Sequence, residues 1–360
     1  MARIVVGMSG GVDSSLAAAL MREAGHEVVG ITLKLWPCAE DDGGFTRPDA
    51  CCSPSETIDA RASALKSGVA HFTVDAEDDF RRDVVEPFVA GWMRGETPNP
   101  CIRCNESIKF GTLWRRAQDL GAERVATGHY ARTGRAFDRW LLRRSVDTAK
   151  DQCYFLFSLT QEQLAAAEFP VGHLTKDQVR AAAAARALPT ATKRESQDIC
   201  FTGADGSEGF LRAAAPAAFA PGPILLADDG RVMGEHRGLC GYTVGQRHGL
   251  GVAWSEPLFV TAIDRARNAV VVGPRRALMT TMARLRDCTW HLGDLPAAGL
   301  DCLLRTRHRA RPVRATIMAD GDGALVTYAE PHTRSNAGQA CVAYSLDDDW
   351  CLGGGWFVSP

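Results

Sequence analysis

The sequence predicts a doubly wound α/β domain with a parallel sheet, followed by two small β-barrel modules. Three observations carry this. A short apolar run, Ile4-Val5-Val6, feeds a glycine-rich turn and then apolar residues at helical spacing. Strand-like and helix-like stretches alternate from there to Gly128-His129. Beyond about residue 205 the chain breaks into short β-like runs between glycine and proline turns. Alternating strands and helices indicate a parallel sheet, and many short strands at close spacing indicate small barrels.

The first run has the pattern of a buried strand. Gly7 breaks it, Ser9-Gly10-Gly11 follows, and Val12, Leu16, Ala19 and Leu20 then share a helical face. Adjacent glycines let the backbone approach an anion without Cβ clashes. The helix start aims its unpaired N–H groups at that anion. Ser9 and Ser14 add hydroxyls, and Asp13 is expected to hold a metal ion, Mg2+, that offsets its charge. The turn is not a Walker A loop, because no lysine precedes Lys34, and it is not the G-x-G-x-x-G fingerprint.

Glu27–Leu33 reads as the second strand and polar Pro37–Ser53 as a loop carrying Cys38, Cys51 and Cys52. Ser53-Pro54-Ser55-Glu56 has the cap chemistry of a helix start, and that helix runs to about Ser67. Ala70–Val74 is a strand, Phe80–Arg94 a helix, Gly95–Asn105 a loop with two prolines, Ile108–Leu120 a helix and Arg124–Thr127 a strand. Ligands of such sheets bind beyond the carboxyl ends of the strands, so the first loop and Gly128-His129 face one site. Gln161–Glu168 and Lys176–Arg186 read as helices. The later β runs are Ile224–Leu226, Leu258–Ile263, Ala269–Val272, Ala315–Met318, Leu325–Tyr328 and Ala340–Tyr344. With a break near 275–283, the expected domains are 1–205, 206–278 and 279–360.

Of 360 residues, 46% are hydrophobic and 23% charged, ordinary for a globular protein. No apolar run is long enough to cross a bilayer, and the chain opens on a strand rather than a cleavable signal. The expected compartment is the cytoplasm. A net charge of −2 gives no global basic field, so nucleic-acid contacts need local patches. In a reducing compartment twelve cysteines are not a disulfide framework, and most are expected to be small buried hydrophobes.

Cys101 and Cys104 stand at C-x-x-C spacing just before a helix, with Arg103 and Lys109 nearby, a setting that favours thiolate. A redox pair, a zinc knuckle and a catalytic thiol compete. The first lacks a thioredoxin-type context and the second lacks another C-x-x-C. The third needs a partner, for which Cys200 is the candidate, in a polar stretch ending Ile-Cys-Phe-Thr-Gly203. Arg305, Arg307, Arg309, Arg311 and Arg314 crowd around His308. At strand alternation the first four share one face, suited to phosphates or simply solvated. Gly245–Gly251 is a plain turn or a segment that orders on docking, and Tyr242, Trp254 and Trp290 read as core.

Taken together, Gly7–Ser14, Thr97–Asn105 with Ile108-Lys109-Phe110, Ala126–Tyr130, Lys150-Asp151-Gln152, Ser196–Phe201, Thr243–Gly251 and Cys351–Gly355 resemble the tRNA-specific 2-thiouridylases. These are ATP-pyrophosphatase-type enzymes that replace the C2 oxygen of the wobble uridine with sulfur. The resemblance implies an adenine nucleotide alpha hydrolase-like first domain. It implies ATP on Gly7, Met8, Ser9, Gly10, Gly11, Val12, Asp13 and Ser14, with Leu33 and Gly128 near the adenosine. Cys104 matches the nucleophile and Cys200 the persulfide carrier. Asn99, Pro100 and Cys101 would adjoin the target base. His129, Lys150, Asp151, Gln152, Arg307, His308 and Gln339 match tRNA-contact positions. Implied partners are tRNA and a persulfide donor, a cysteine desulfurase or sulfur-relay protein. The family often has Asp at the position of Cys101, an acid given proton transfer. The substitution leaves a [4Fe–4S] cluster on Cys101, Cys104 and Cys200 as an alternative to the persulfide route. A structural zinc and another adenylating enzyme, an amide-forming synthetase, stand further back.

Overall fold

The computed structural model describes residues 1–37, 54–136, 138–194, 199–203 and 205–358. Cys38, Cys51, Cys52, Ser53 and Ser196 therefore lie outside the described residues. Among those described, no helix is long and apolar enough to cross a membrane.

Strands β1 (Arg3–Gly7), β2 (Glu27–Lys34), β3 (Ala70–Asp75) and β4 (Arg124–Thr127) form a parallel sheet in the order β3-β2-β1-β4. Helix α1 (Val12–Glu23) follows β1 and stops before Gly25, which takes φ +85°; α2 (Pro54–Lys66) precedes β3. The stretch 77–93 is helical (α3). So is 100–119 (α4), where the sequence reading expected a loop as far as Asn105. The physical reason is local. The Asn99 side chain accepts from the Cys101 N–H at 3.1 Å, and Pro100 occupies the first helical position. Residues Cys104–Thr112 of α4 are π-helical, a backbone form concentrated at functional sites.

A hairpin not foreseen from sequence, β5 (Ala131–Ala136) and β6 (Arg139–Arg144), comes next. Then α5 (Gln161–Ala166) leads to β7 (Ala167–Glu168), which extends the parallel sheet beyond β4. Helix α6 (Lys176–Ala185) follows; α5 and α6 each start with a threonine capping box, at Thr160 and Thr175. After α7 (Gly206–Ala214), strands β8 (Gly222–Leu226), β9 (Val232–His236), β10 (Leu258–Asp264) and β11 (Ala269–Pro274) make a four-stranded sheet. The last module holds β12 (Met279–Trp290), β13 (Leu300–Arg305), β14 (Val313–Asp320), β15 (Gly323–Thr333), β16 (Ala340–Tyr344) and β17 (Trp350–Phe357). These six close into a barrel because β17 pairs with both β16 and β12. Gly353–Gly355 make closure feasible: a Cβ on Gly353 would lie 2.0 Å from the Thr289 carbonyl oxygen, and one on Gly354 2.2 Å from that of Cys341.

The first domain and the barrel share one core. The β5–β6 hairpin adds to the barrel sheet, with Leu142 opposite Cys351. Phe157, Tyr154 and Leu156 pack in the same cluster as Val342, Tyr344 and Trp356, and the Phe157 and Trp356 rings stand 5.9 Å apart. Phe157→Ala should cost about 3–5 kcal/mol, the usual loss for a large buried aromatic. In denaturant unfolding the parallel sheet and the barrel should still unfold in one transition. Two separated transitions in the unsubstituted protein would contradict a shared core.

Candidate active site

The turn after β1 is built by close backbone approaches. Gly10 has φ +77°, and a Cβ there would lie 2.2 Å from the Glu56 carbonyl oxygen. Gly11 caps α1 with extended backbone. Gly128, just beyond β4, faces the first turn of α1 so closely that a Cβ would lie 2.6 Å from the Ser14 nitrogen. Ser14 Oγ accepts from the Ser9 N–H at 3.2 Å and donates to the Gly11 carbonyl at 3.1 Å, fixing the loop's curl. Met8 and Val12 are buried in the core, so their side chains face away from the turn's surface, and half-buried Leu33 lies on the neighbouring strand.

Asp13 does not stand as an open metal ligand. Its two oxygens accept from Lys176 Nζ at 2.8 and 2.9 Å, and Oδ1 also accepts from the Tyr130 hydroxyl at 2.8 Å. The charge that the sequence reading assigned to a metal ion is met by an ammonium from the first turn of α6. A second distant lysine reaches the loop. Lys193 Nζ donates to the Gly10 carbonyl at 3.2 Å while paired with Glu56 at 2.6 Å and with Asp59. Neither lysine was legible in sequence, since each lies far along the chain from its partner.

The cysteines divide. Cys101 is exposed on the first turn of α4. Cys104 and Cys200 are half-buried and pack against the same apolar cluster, built around Phe80, Phe88, Phe201 and Phe210. Phe201 seats Cys200 there, its ring 5.1–5.7 Å from those of Phe80, Phe88 and Phe210. Among the described residues, no three His, Cys, Asp or Glu side chains are grouped to hold a metal ion. The Cys101–Cys104–Cys200 ligand set for a cluster or zinc is therefore not assembled, because the first thiol is on the surface and the other two face an aromatic cluster. The remaining described cysteines include Cys153, Cys302, Cys341 and Cys351, all buried, with thiols that burial pushes upward.

Several expected contact residues serve inside the protein. His129 is buried between Phe110 and Phe169, and burial together with Lys109 holds its pKa well below the usual value. The Asp151 carboxylate accepts from the Ser145 and Cys153 N–H groups, and burial raises its pKa. Gln152 pairs with the Tyr130 backbone in both directions, at 2.8 and 2.9 Å. His308 Nε2 donates to the Asp151 carbonyl at 3.1 Å, and its ring stands 4.4 Å from that of Phe155. Lys150 is half-buried. Gln339 Oε1 is buried without a hydrogen-bond partner among the described residues.

The arginine row needs correction. Strand β13 ends at Arg305 and β14 begins at Val313, so 306–312 is a loop and the row shares no strand face. Arg305 is held at 2.7 Å by Asp348, whereas Arg307, Arg309, Arg311 and Arg314 are exposed with no ion pair among the described residues. Arg307 reaches toward Gly245 of the central module. Tyr242 is core as expected, but Trp254 is 42% exposed, with the Arg231 guanidinium 5.3 Å from its ring centre.

Gly128→Ala tests the anion site. The methyl must push the start of α1 aside, so nucleotide affinity measured by calorimetry should fall about tenfold or more, the equivalent of one lost hydrogen bond. Unchanged affinity would show that this approach does not shape the site.

Three family models match the chain in order: a tRNA methyl transferase HUP domain over residues 2–204, a tRNA methyl transferase PRC-barrel domain over 208–274 and an aminomethyltransferase beta-barrel domain over 280–357. The tRNA-specific 2-thiouridylase MnmA of Chloroflexus aggregans is 46% identical over 362 residues, spanning 100% of this chain and 99% of the relative. That of Parvibaculum lavamentivorans is 44% identical, spanning 99% and 90%. A 4-thiouridine synthetase–RNA complex with bound ATP overlays with a TM-score of 0.39 at 16% identity, covering 60% of this chain and 50% of that one, too remote to transfer anything from. Full-length identity at this level, in the order of all three modules, means that the chain belongs to the tRNA-specific 2-thiouridylase family.

Proposed function

We propose that this protein converts the wobble uridine of tRNA to 2-thiouridine, using ATP to activate the C2 oxygen and a cysteine persulfide to supply sulfur. The observation that carries the reading is the convergence of Cys104 and Cys200 on one aromatic cluster, from opposite sides of the first domain's sequence. We assign adenylation to residues 1–205, and tRNA binding to 206–278 and 279–360 together with the surface around Arg307 and Gln339.

The chemistry balances as follows. The uracil C2 oxygen attacks the α-phosphorus of ATP at the Gly7–Ser14 turn, giving an AMP ester and diphosphate. The α1 N-terminus and the loop N–H groups hold the phosphates. A partner desulfurase or relay protein loads Cys200 as a persulfide. Cys104 thiolate attacks the Cys200 sulfur, releasing hydrosulfide and leaving a Cys104–Cys200 disulfide. Hydrosulfide adds at C2 and AMP departs, giving 2-thiouridine. A dithiol reductant of the cytoplasm, where we place the reaction, restores both thiols. The apolar wall around Cys200 shields the persulfide from water. Cys101, exposed beside Asn99 and Pro100, is the group at the base for proton transfer. The residues present do not fit a cluster or a protein-held Mg2+, since the three thiols are not assembled and both Asp13 oxygens are held by Lys176. No step is routed through either.

Cys200→Ser and Cys104→Ser should each lower 2-thiouridine formation on the order of 10³-fold or more, as expected for loss of a nucleophile. Each should keep a tRNA-dependent burst of diphosphate, read by rapid quench. Full thiolation by either variant would sink the reading, as would AMP formation indifferent to tRNA.

A further inference from the structure

The charges around the site are unevenly matched. Lys176 is neutralised by Asp13, Lys193 by Glu56 and Asp59, Lys34 by Glu77 at 2.6 Å, and Arg103 faces Glu106 at 3.4 Å. Lys109 differs. Its Nζ lies 3.4 Å from His129 Nε2, and no carboxylate among the described residues is within ion-pair reach. His129 Nδ1 is 2.8 Å from the Thr127 hydroxyl. The consistent assignment has Nδ1–H donating to Thr127 and Nε2 accepting from the ammonium, which makes His129 a neutral acceptor. A buried imidazole kept neutral holds the lysine without cancelling its charge.

Position adds the second half of the argument. Leu113 of α4 lies against Gly7 at the end of β1, where a Cβ would come within 2.9 Å of its Cδ2. Lys109 is one turn earlier on α4, and His129 lies just beyond β4. The ammonium is thus held beside His129, just past the carboxyl end of β4 and next in sequence to Gly128, which abuts Asp13 and Ser14 at the start of α1, and ligands of open α/β sheets bind at such strand ends. Cys104 precedes Lys109 by five residues in π-helical backbone, whose hydrogen bonds span i to i+5, so the two lie about one turn apart.

We propose that Lys109 binds the α-phosphate, both as the base is adenylated and in the AMP ester that the sulfur displaces, with His129 as its positioning residue. This rests on the adenylation reading above. The loop has no lysine of its own, and Lys109 supplies from α4 the cation that a phosphoryl transfer needs at its reacting phosphorus.

The test uses the full chain with tRNA and ATP, following diphosphate release. Lys109→Met, which keeps the aliphatic stem, should lower kcat about 100-fold, the typical effect of one transition-state donor, with KM for tRNA nearly unchanged. Lys109→Arg should recover much of the rate. His129→Leu should lower kcat in the wild-type background but add little to Lys109→Met, because both changes remove one interaction. Lys109→Met turning over at the wild-type rate overturns the proposal. Equal losses in the Met and Arg variants with a lowered melting temperature also overturn it, because they assign the lysine to folding. If the wild-type chain releases no diphosphate with tRNA, the adenylation reading falls and takes this proposal with it.

Discussion

Helix α4 is gripped from both sides, and the chemistry depends on that grip. On the sheet side Leu113 lies on Gly7, and Gln163 Nε2 donates to the Glu106 and Phe110 carbonyls at 3.1 and 2.9 Å. Those bonds satisfy acceptors that π-helical winding shifts out of the usual ladder. On the barrel side the Arg103 guanidinium lies 5.3 Å from the Trp356 ring centre, and the Thr97 N–H donates to the Ala337 carbonyl at 2.8 Å. Asn105 reaches the Phe155 carbonyl at 2.9 Å, and Phe155 in turn carries His308. The helix that carries Cys104 is therefore tied to the barrel as well as to the parallel sheet.

Electrostatics follows the same economy of long-range contacts. A turn with no lysine receives two from beyond residue 170, one on Asp13 and one on the Gly10 carbonyl. Lys193 stands seven residues before Cys200 in the chain and donates to the Gly10 carbonyl of the turn after β1. Such anchors hold the loop in shape before any phosphate arrives, which lowers the reorganisation needed on binding.

Much of the first domain was legible because its signals are local. The strand Ile4–Val6, the double glycine and the spacing of α1 are read within twenty residues, and the parallel order follows from alternation. Gly128 was expected near the adenosine from resemblance; what the fold adds is the 2.6 Å that would separate a Cβ there from the Ser14 nitrogen, an approach the sequence does not reveal. The start of α4 was misread because two prolines look like a loop, although Pro100 after Asn99 is also a helix start. The β5–β6 hairpin, β12 and β17 were missed for a different reason. Their pairings are made with distant strands, and a run such as Gly353–Gly355 carries no strand signal of its own until closure of the barrel demands it. The arginine row was assigned a strand it does not have, because period-two spacing of one residue type says nothing about whether the backbone is paired.

The central proposal is that Cys104 and Cys200, seated on one cluster, are joined as a disulfide once per sulfur delivered, the electron pair leaving with the outer persulfide sulfur as hydrosulfide. Peptide mass spectrometry after a single turnover of the persulfide-loaded protein, with tRNA and ATP but no reductant, reads this directly. The account predicts one Cys104–Cys200 disulfide for each 2-thiouridine formed, and a halt until a dithiol is added. Continued thiolation with both cysteines still reduced would contradict it.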